Sequence, residues 1–457
     1  MVARSVQSAS AQLSAYVASL GLAQLPPEVV HQAKRAIIDT LGAALAGARS
    51  DEVERLVAAV RDYDRGQDAG VWGRSERMSV PEAALINGTA AHARELDDWL
   101  ALVHAGAVVI PAAFALAEAT ACQGSRLIEA VVVGYEVAAR VSEGAGLAAQ
   151  YRRGWHPTGT CGAFGAAAAA SKMLGLSAEV TTLALGLAGS FTGGIWAFIA
   201  DGAMSKRLHP GKAAETGVIA AFLARRGFTG PRYVLEAPFG GFLSTYVPGE
   251  ADLGQVTKEL GHTFKILDNG YKPYACCRGV HAALDAILSL HRRHAFTAAD
   301  VRAISVAVPR EVQLMCGANR TETLLDAQMS LAFSLAVAVT AGDVRLEHYE
   351  RLPPTPEVQG VMGRVHVNLD GSLQNEAAVV TVELHDGRRL TERVDVAKGD
   401  PTNPLSDDEL FTKFERLATR VLPPATARRA LERLSELEHL DSVSGFARDL
   451  SPLPHAH

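Results

Sequence analysis

Alanine and glycine place the first constraint on this chain. The stretches GWHPTGTCGAFGAAAAA from Gly154 and DGAMSKRLHPGKAAETG from Asp201 each set a histidine beside a proline or glycine turn, then enter an Ala-rich run. Such runs favour helix, and small side chains let neighbouring helices approach closely. LPPEVVHQAKRAIIDTLGAAL, VPEAALINGTAAHARELDDWL, LIEAVVVGYEVAARVSEG and AAETGVIAAFLARRG follow the same style. The first of these begins with prolines where a helix tolerates them and puts Val30, Ala33, Ile37 and Leu41 on one face. No repeat of 20–50 residues is visible.

The pattern changes near Gly270. VRAISVAVP alternates Ile304, Val306 and Val308, a strand that stops at Pro309. RVHVNLDG puts Val365, Val367 and Leu369 on one face, and AVVTVELHDGRRLTERVDV reads as two strands around a turn at Asp386-Gly387. Helices are expected from about His281 to His291 and from Asp326 to Ala341. After Pro401 the chain returns to helix, with a capping box at Ser406 and Glu409. The expected fold is mainly α: a large all-helical domain, 1–269 plus 401–457, with a smaller α+β domain, 270–400, inserted. A cleft between two domains is a natural place for a ligand.

A chain of 457 residues is long for one core. Its net charge of −6 and its lack of a long Lys/Arg run argue against a nucleic-acid partner. Five cysteines with no CxxC pair fit free thiols in a reducing compartment, not a disulfide framework, a zinc site or an iron–sulfur cluster. Cys161, inside GTCGAFGAA, reads as a small packing residue more than as a nucleophile. The N-terminal residues lack the apolar core of a signal peptide. Thr181–Ala200 has the length of a membrane span, but its glycines and hydroxyls read as buried helix plus glycine loop. A cytoplasmic protein with no membrane partner is expected.

Histidines recur at helix starts. His104 precedes the run AGAVVIPAAFALAEA, His156 precedes PTGTCGAF, Lys206 and Arg207 stand just ahead of His209, and Arg278, Gly279 and His281 open HAALDAILSLHRRH. A helix start offers unpaired N–H groups and partial positive charge, so it attracts anions. An imidazole there, with a lysine near another start, suits binding and proton transfer on a small carboxylic acid. His92, three residues before Glu95 on an expected helix, can touch it. His209 is expected to build the turn before Lys212.

In order, ALINGTAAHARELDDW, LVHAGAVVIPAAFALAE, GWHPTGTCGAFGAAAAASKMLGL, DGAMSKRLHPGKAAETG and KPYACCRGVHAALDA resemble the MmgE/PrpD family, over about Leu25 to Asp449. That family includes 2-methylcitrate dehydratase, cis-aconitate decarboxylase and iminodisuccinate epimerase. The resemblance implies a helical domain with a smaller α+β lid, a homodimer, and a carboxylate pocket with no essential metal and no cofactor. Carried over by motif, the site comprises Asp97 and Asp98 from ELDD, His104, His156 from WHPTG, Lys206 from KRLHPG and His281 from RGVH, with Arg278 beside it.

Three positions depart from the tricarboxylate enzymes of the family. Glu95 stands where they often carry aspartate, Trp99 where they often carry threonine, and Phe333 where they have a tyrosine in the site. A phenylalanine cannot donate a proton or a hydrogen bond. The shared chemistry is proton removal next to a carboxylate, which Lys206 stabilises as charge develops. His156 is the first choice for general acid or base and His104 the second, and His281 binds or protonates the leaving group. The leading expectation is a hydro-lyase of a hydroxylated di- or tricarboxylate. An epimerase of a small dicarboxylate is the alternative, favoured slightly by Trp99 and Phe333. A non-catalytic carboxylate-binding protein is the third reading.

Overall fold

The computed structural model describes residues 8–450, and these divide into two compact units. The first runs up to Ala93, over Asp97–Asn269 and on from Ser406; the second holds Arg94–Leu96 and Gly270–Leu405. The fold is mainly α: the first unit carries long helices and, as its only paired strands among the described residues, a short hairpin of Ala69–Gly70 with Arg77–Met78.

The centre of the first unit is built from helices α1 (Pro27–Gly47), α2 (Val80–His92), α3 (Ala105–Thr120), α4 (Gly124–Gly144), α5 (Gly162–Met173), α6 (Ala178–Phe191) and α7 (Ser205–Arg225). Helix α1 corrects the expected stripe. Val29, not Val30, is buried at its start, and from Ala33 nearly every residue is enclosed. A helix surrounded by neighbours has no solvent face, so a one-sided pattern understates its burial. One of those neighbours is the helix Asp407–Ala418, opened by the expected capping box of Ser406 and Glu409.

Glycine sets the crossing of α2 and α7. A Cβ on Gly211 would lie 2.1 Å from the Leu85 carbonyl oxygen, and one on Gly88 2.8 Å from the Gly211 Cα. Only two glycines allow the backbones this close. The contact brings the C-terminal end of α2, with His92, to the first turns of α7, with Lys206 and His209. Thr181–Ala200 resolves into most of α6, a glycine loop and a short 3-10 turn, Trp196–Ala200. Among the described residues no helix is long and apolar enough to cross a membrane.

The second unit holds helix α8 (Arg278–His294) and a four-stranded sheet of β1 (Val301–Val308), β2 (Val365–Leu369), β3 (Ala378–Leu384) and β4 (Arg389–Val394), in the order β2-β1-β3-β4. β1 pairs parallel to β2 and antiparallel to β3, and β3 pairs antiparallel to β4 around the Asp386-Gly387 turn. The single helix expected over 326–341 is two, Leu324–Gln328 and Leu331–Ala341. Ser330 makes the break, because its hydroxyl accepts the Phe333 N–H at 3.2 Å and caps the second helix.

Candidate functional site

Four histidine rings form a row in the first unit. The His104 and His92 centroids lie 4.6 Å apart, His92 and His156 6.0 Å, and His156 and His209 5.1 Å. Each sits at an end or within the first two turns of a helix. His92 ends α2, His104 is the N-cap of α3, His156 is the N-cap of the short helix Pro157–Thr160, and His209 lies in the second turn of α7. His209 therefore does not shape a turn before Lys212, since the helix already runs from Ser205 through Pro210.

The loop between α2 and α3 carries strain. Glu95, Ala101 and Leu102 take positive φ of 54°, 48° and 64°, although none is glycine. A non-glycine residue held there costs on the order of 1–3 kcal/mol, and such strain concentrates where a site needs a fixed geometry. What this loop fixes is Asp97 and Asp98. Asp97 Oδ2 faces His92 Nδ1 at 2.7 Å and His104 Nδ1 at 3.2 Å. Burial disfavours the Asp97 charge, but the two imidazoles outweigh burial and hold its carboxyl well below the usual range.

His104 has a defined tautomer. Its Nδ1 lies 2.8 Å from the Asp98 carbonyl oxygen, which can only accept. Nδ1 therefore carries the proton, and in the neutral ring the lone pair is on Nε2. Thr158 Oγ1 accepts the His104 backbone N–H at 3.1 Å, joining the helix that His156 caps to the start of α3.

Asp98 holds this arrangement from behind. Its carboxyl accepts from the Gly106 N–H at 2.8 Å, the Tyr135 hydroxyl at 2.5 Å and Asn269 Nδ2 at 2.8 Å. Gly106 is obligatory, because a Cβ there would lie 2.1 Å from Thr40 Oγ1 and 2.7 Å from Asp98 Oδ1. With three donors on a fully buried carboxyl, Asp98 fixes the first turn of α3 and the carbonyl that orients His104. Burial, then the nearby Asp39 charge, pushes the Asp98 carboxyl up to about 7, against the pull of those donors.

That shift gives a pH prediction. Between about pH 4 and about pH 7 the folded protein keeps a proton on Asp98 that the unfolded chain has released, so this group's stabilisation is complete at low pH and fades as pH rises through about 7. Asp98→Asn removes this contribution to the slope. Melting temperatures from pH 4 to 8 check it, and an unchanged slope contradicts it.

His156 is fully enclosed, with its Nδ1 2.9 Å from His209 Nδ1. One of the two nitrogens donates to the other, so His209 decides whether His156 presents an N–H or a lone pair at Nε2. Burial, and then the charges of His92, Lys206, His209 and His104, hold His156 well below its ordinary value, so it is a neutral imidazole near pH 7. Burial and Lys206 lower His209 as well. The buried Lys206 thus places positive charge beside both rings. The loop after α6 clamps this corner: Gly194 O accepts the His156 N–H at 3.0 Å, and Trp196 Nε1 donates to Trp155 O at 3.1 Å.

The remaining expected residues are placed as follows. Trp99 is half-buried in the α2–α3 loop. His281, Arg278 and Phe333 belong to the second unit. His281 is buried, with Nε2 3.3 Å from the Cys276 carbonyl oxygen. Arg278 pairs with Glu376 and Asp400, each at 3.3 Å. Phe333 is enclosed and packs on Tyr349, with ring centroids 5.5 Å apart. Cys161 is fully buried and donates to Gln150 Oε1 at 3.1 Å, and burial pushes its thiol up to about 12, which fits packing and opposes nucleophilic attack.

His92 and His209 hold more of the site than their sequence spacing shows. Helical spacing puts Glu95 within reach of His92, but α2 ends at His92, so that spacing does not extend to Glu95, and the observed partner at 2.7 Å is Asp97. Lys272 belongs to no helix start of this kind. It is buried in the second unit, 3.0 Å from Glu95, and its place in KPYACCRGVH is the only signal that could have found it.

A helical unit with this histidine row matches a known class. Residues 11–253 match the model of the MmgE/PrpD N-terminal domain, and 274–438 that of the MmgE/PrpD C-terminal domain. The chain belongs to the MmgE/PrpD family. It is 31% identical to the cis-aconitate decarboxylase-like protein oryM of Aspergillus oryzae, over 95% of each chain. It is 29% identical to a cis-aconitate decarboxylase of Aspergillus terreus, over 97% of this chain and 94% of that one. The cis-aconitate decarboxylase of Homo sapiens is 30% identical, over 93% of this chain and 91% of that one.

Proposed function

We propose that this chain is a lyase of a small carboxylic acid, and that it removes carbon dioxide from a tricarboxylate of the cis-aconitate kind. The observation that carries the reading is the buried Lys206 charge beside His156, in a row that also holds the differently prepared imidazole of His104. The relatives named as cis-aconitate decarboxylases support carbon dioxide as the leaving group.

In such an acid one carboxylate is attached through a methylene to a double bond that bears a second carboxylate. The bond to the first carboxylate breaks and carbon dioxide leaves. The electron pair forms a new double bond, and the old one shifts its electrons onto the carbon beside the second carboxylate. That carbanion is delocalised onto carboxylate oxygens, where the Lys206 ammonium stabilises it. A protonated imidazole then delivers the proton. His104 suits this step, because Asp97 and the Asp98 carbonyl keep Nδ1 as a donor and leave Nε2 to carry and release the proton. The neutral His156, set by His209, hydrogen-bonds the substrate.

Dehydration of a hydroxylated acid, the first expectation from the resemblance, uses the same groups with water as the leaving group. Proton NMR in D₂O with cis-aconitate, 2-methylcitrate and iminodisuccinate separates the cases. The expected result is a new pair of terminal alkene protons from cis-aconitate, loss of carbon dioxide, and one deuterium in the product methylene. Water loss from 2-methylcitrate alone, inversion of iminodisuccinate with its skeleton intact, or no change in any acid contradicts the proposal.

A further inference from the structure

Outside the histidine row, three thiols gather in the second unit. Cys276 and Cys277 directly precede α8, and Cys316 closes the helix Arg310–Cys316. The Cys316 sulfur lies 3.7 Å from where a Cβ on Gly279 would sit, so it packs against the first turn of α8. Cys277 caps that same turn, and the two thiols interact there. Cys316 is fully buried, whereas Cys277 is partly exposed.

The two thiols differ in reactivity for physical reasons. Cys277 is the N-cap of the 17-residue α8, at the end of the helix where the partial charge is positive, and Arg278 follows it. Cys276 and Cys316 are enclosed; burial raises the Cys276 thiol, and the neighbouring Cys277 thiol, then burial, raises that of Cys316. A peroxide therefore meets one accessible sulfur, with a second, buried sulfur packed against the same helix start.

We propose that Cys277 and Cys316 are a reversible dithiol–disulfide pair. Hydrogen peroxide oxidises the Cys277 thiolate to a sulfenic acid: an S–O bond forms, the peroxide O–O bond breaks, and one water leaves after protonation. The Cys316 sulfur then attacks the sulfenic sulfur. The S–S bond forms, the S–O bond breaks, and the Cys316 proton leaves with the hydroxyl as a second water. The two sulfurs lose one electron each, and the peroxide gains both. A dithiol such as dithiothreitol reverses the reaction by exchange. The neighbouring Cys276 is a poor partner, because a bond between adjacent residues would need a strained ring within the backbone. The bond would tie the start of α8, and with it Arg278 and His281, to the helix that ends at Cys316.

The test is peptide mapping of the whole chain without reduction, after treatment with equimolar hydrogen peroxide and alkylation under denaturing conditions. The expected result is one intramolecular peptide joining Cys277 to Cys316 and the loss of two of the five free thiols. Dithiothreitol restores both, and Cys277→Ser and Cys316→Ser each abolish the linked peptide. A Cys276–Cys277 link, Cys277 converted to sulfinic acid while Cys316 alkylates fully, or five intact thiols overturns the proposal. No substrate enters this experiment, so its outcome is independent of the proposed lyase activity.

Discussion

Replacing His104 by asparagine lowers kcat by ~10²–10⁴-fold, the usual worth of a positioned acid or base, while the protein keeps its fold. Asparagine is the informative choice. Its Nδ2 falls where imidazole Nδ1 was and can still donate to the Asp98 carbonyl oxygen, which His104 reaches at 2.8 Å. What it lacks is any group at Nε2. If the role of His104 were only to cap α3 and hold the loop, asparagine would rescue it and turnover would stay near normal. Steady-state rates on the acid that proves to be the substrate check this, with circular dichroism as the control for folding.

The same logic extends one step back. Asp97→Asn removes the charge that His92 and His104 face, but not the Asp98 carbonyl. Its expected effect on kcat is smaller than that of His104→Asn, because Asp97 acts through the rings and does not itself carry the proton.

Most of the fold is legible in the sequence. The strands Val301–Val308 and Ala378–Leu384 follow from alternation and a turn dipeptide, and the helix at Asp407 from its capping box. These signals are local, a few residues apart, and each has a backbone cause. Within the site, His104, His156 and Lys206 were legible because they stand at helix starts. The network around them was not. Tyr135, Asn269 and Asp39 reach Asp98 from 37, 171 and 59 positions away in the chain, so no short spacing reveals them. Asp97 and Asp98 also look alike as neighbours in a sequence. The positive φ at Glu95 is part of what separates them, one toward the histidines and the other toward Tyr135 and the first turn of α3.

Lys413→Met destabilises the protein by about 3–5 kcal/mol, the usual loss when one partner of a buried ion pair is removed. Lys413 Nζ lies 2.6 Å from Asp39 Oδ1, and both side chains are enclosed, at 5% and 0% exposure. Methionine keeps most of the lysine stem's volume, so packing changes little and the loss falls on the uncompensated carboxylate. Asp39 is poorly placed to bear it. Burial already raises its carboxyl, Lys413 opposes that rise, and Asp97 adds to it. Without Lys413 the carboxyl rises further and takes up a proton in the folded state. The cost is therefore greater at pH 8 than at pH 5, where protonation comes more easily. Adding Asp39→Asn to Lys413→Met replaces the stranded charge with a neutral group and recovers part of the loss. Urea unfolding of the two variants at both pH values measures this. If Lys413→Met costs under about 1 kcal/mol at pH 8, in the range of a surface pair, the ion pair does not hold the ground behind Asp98.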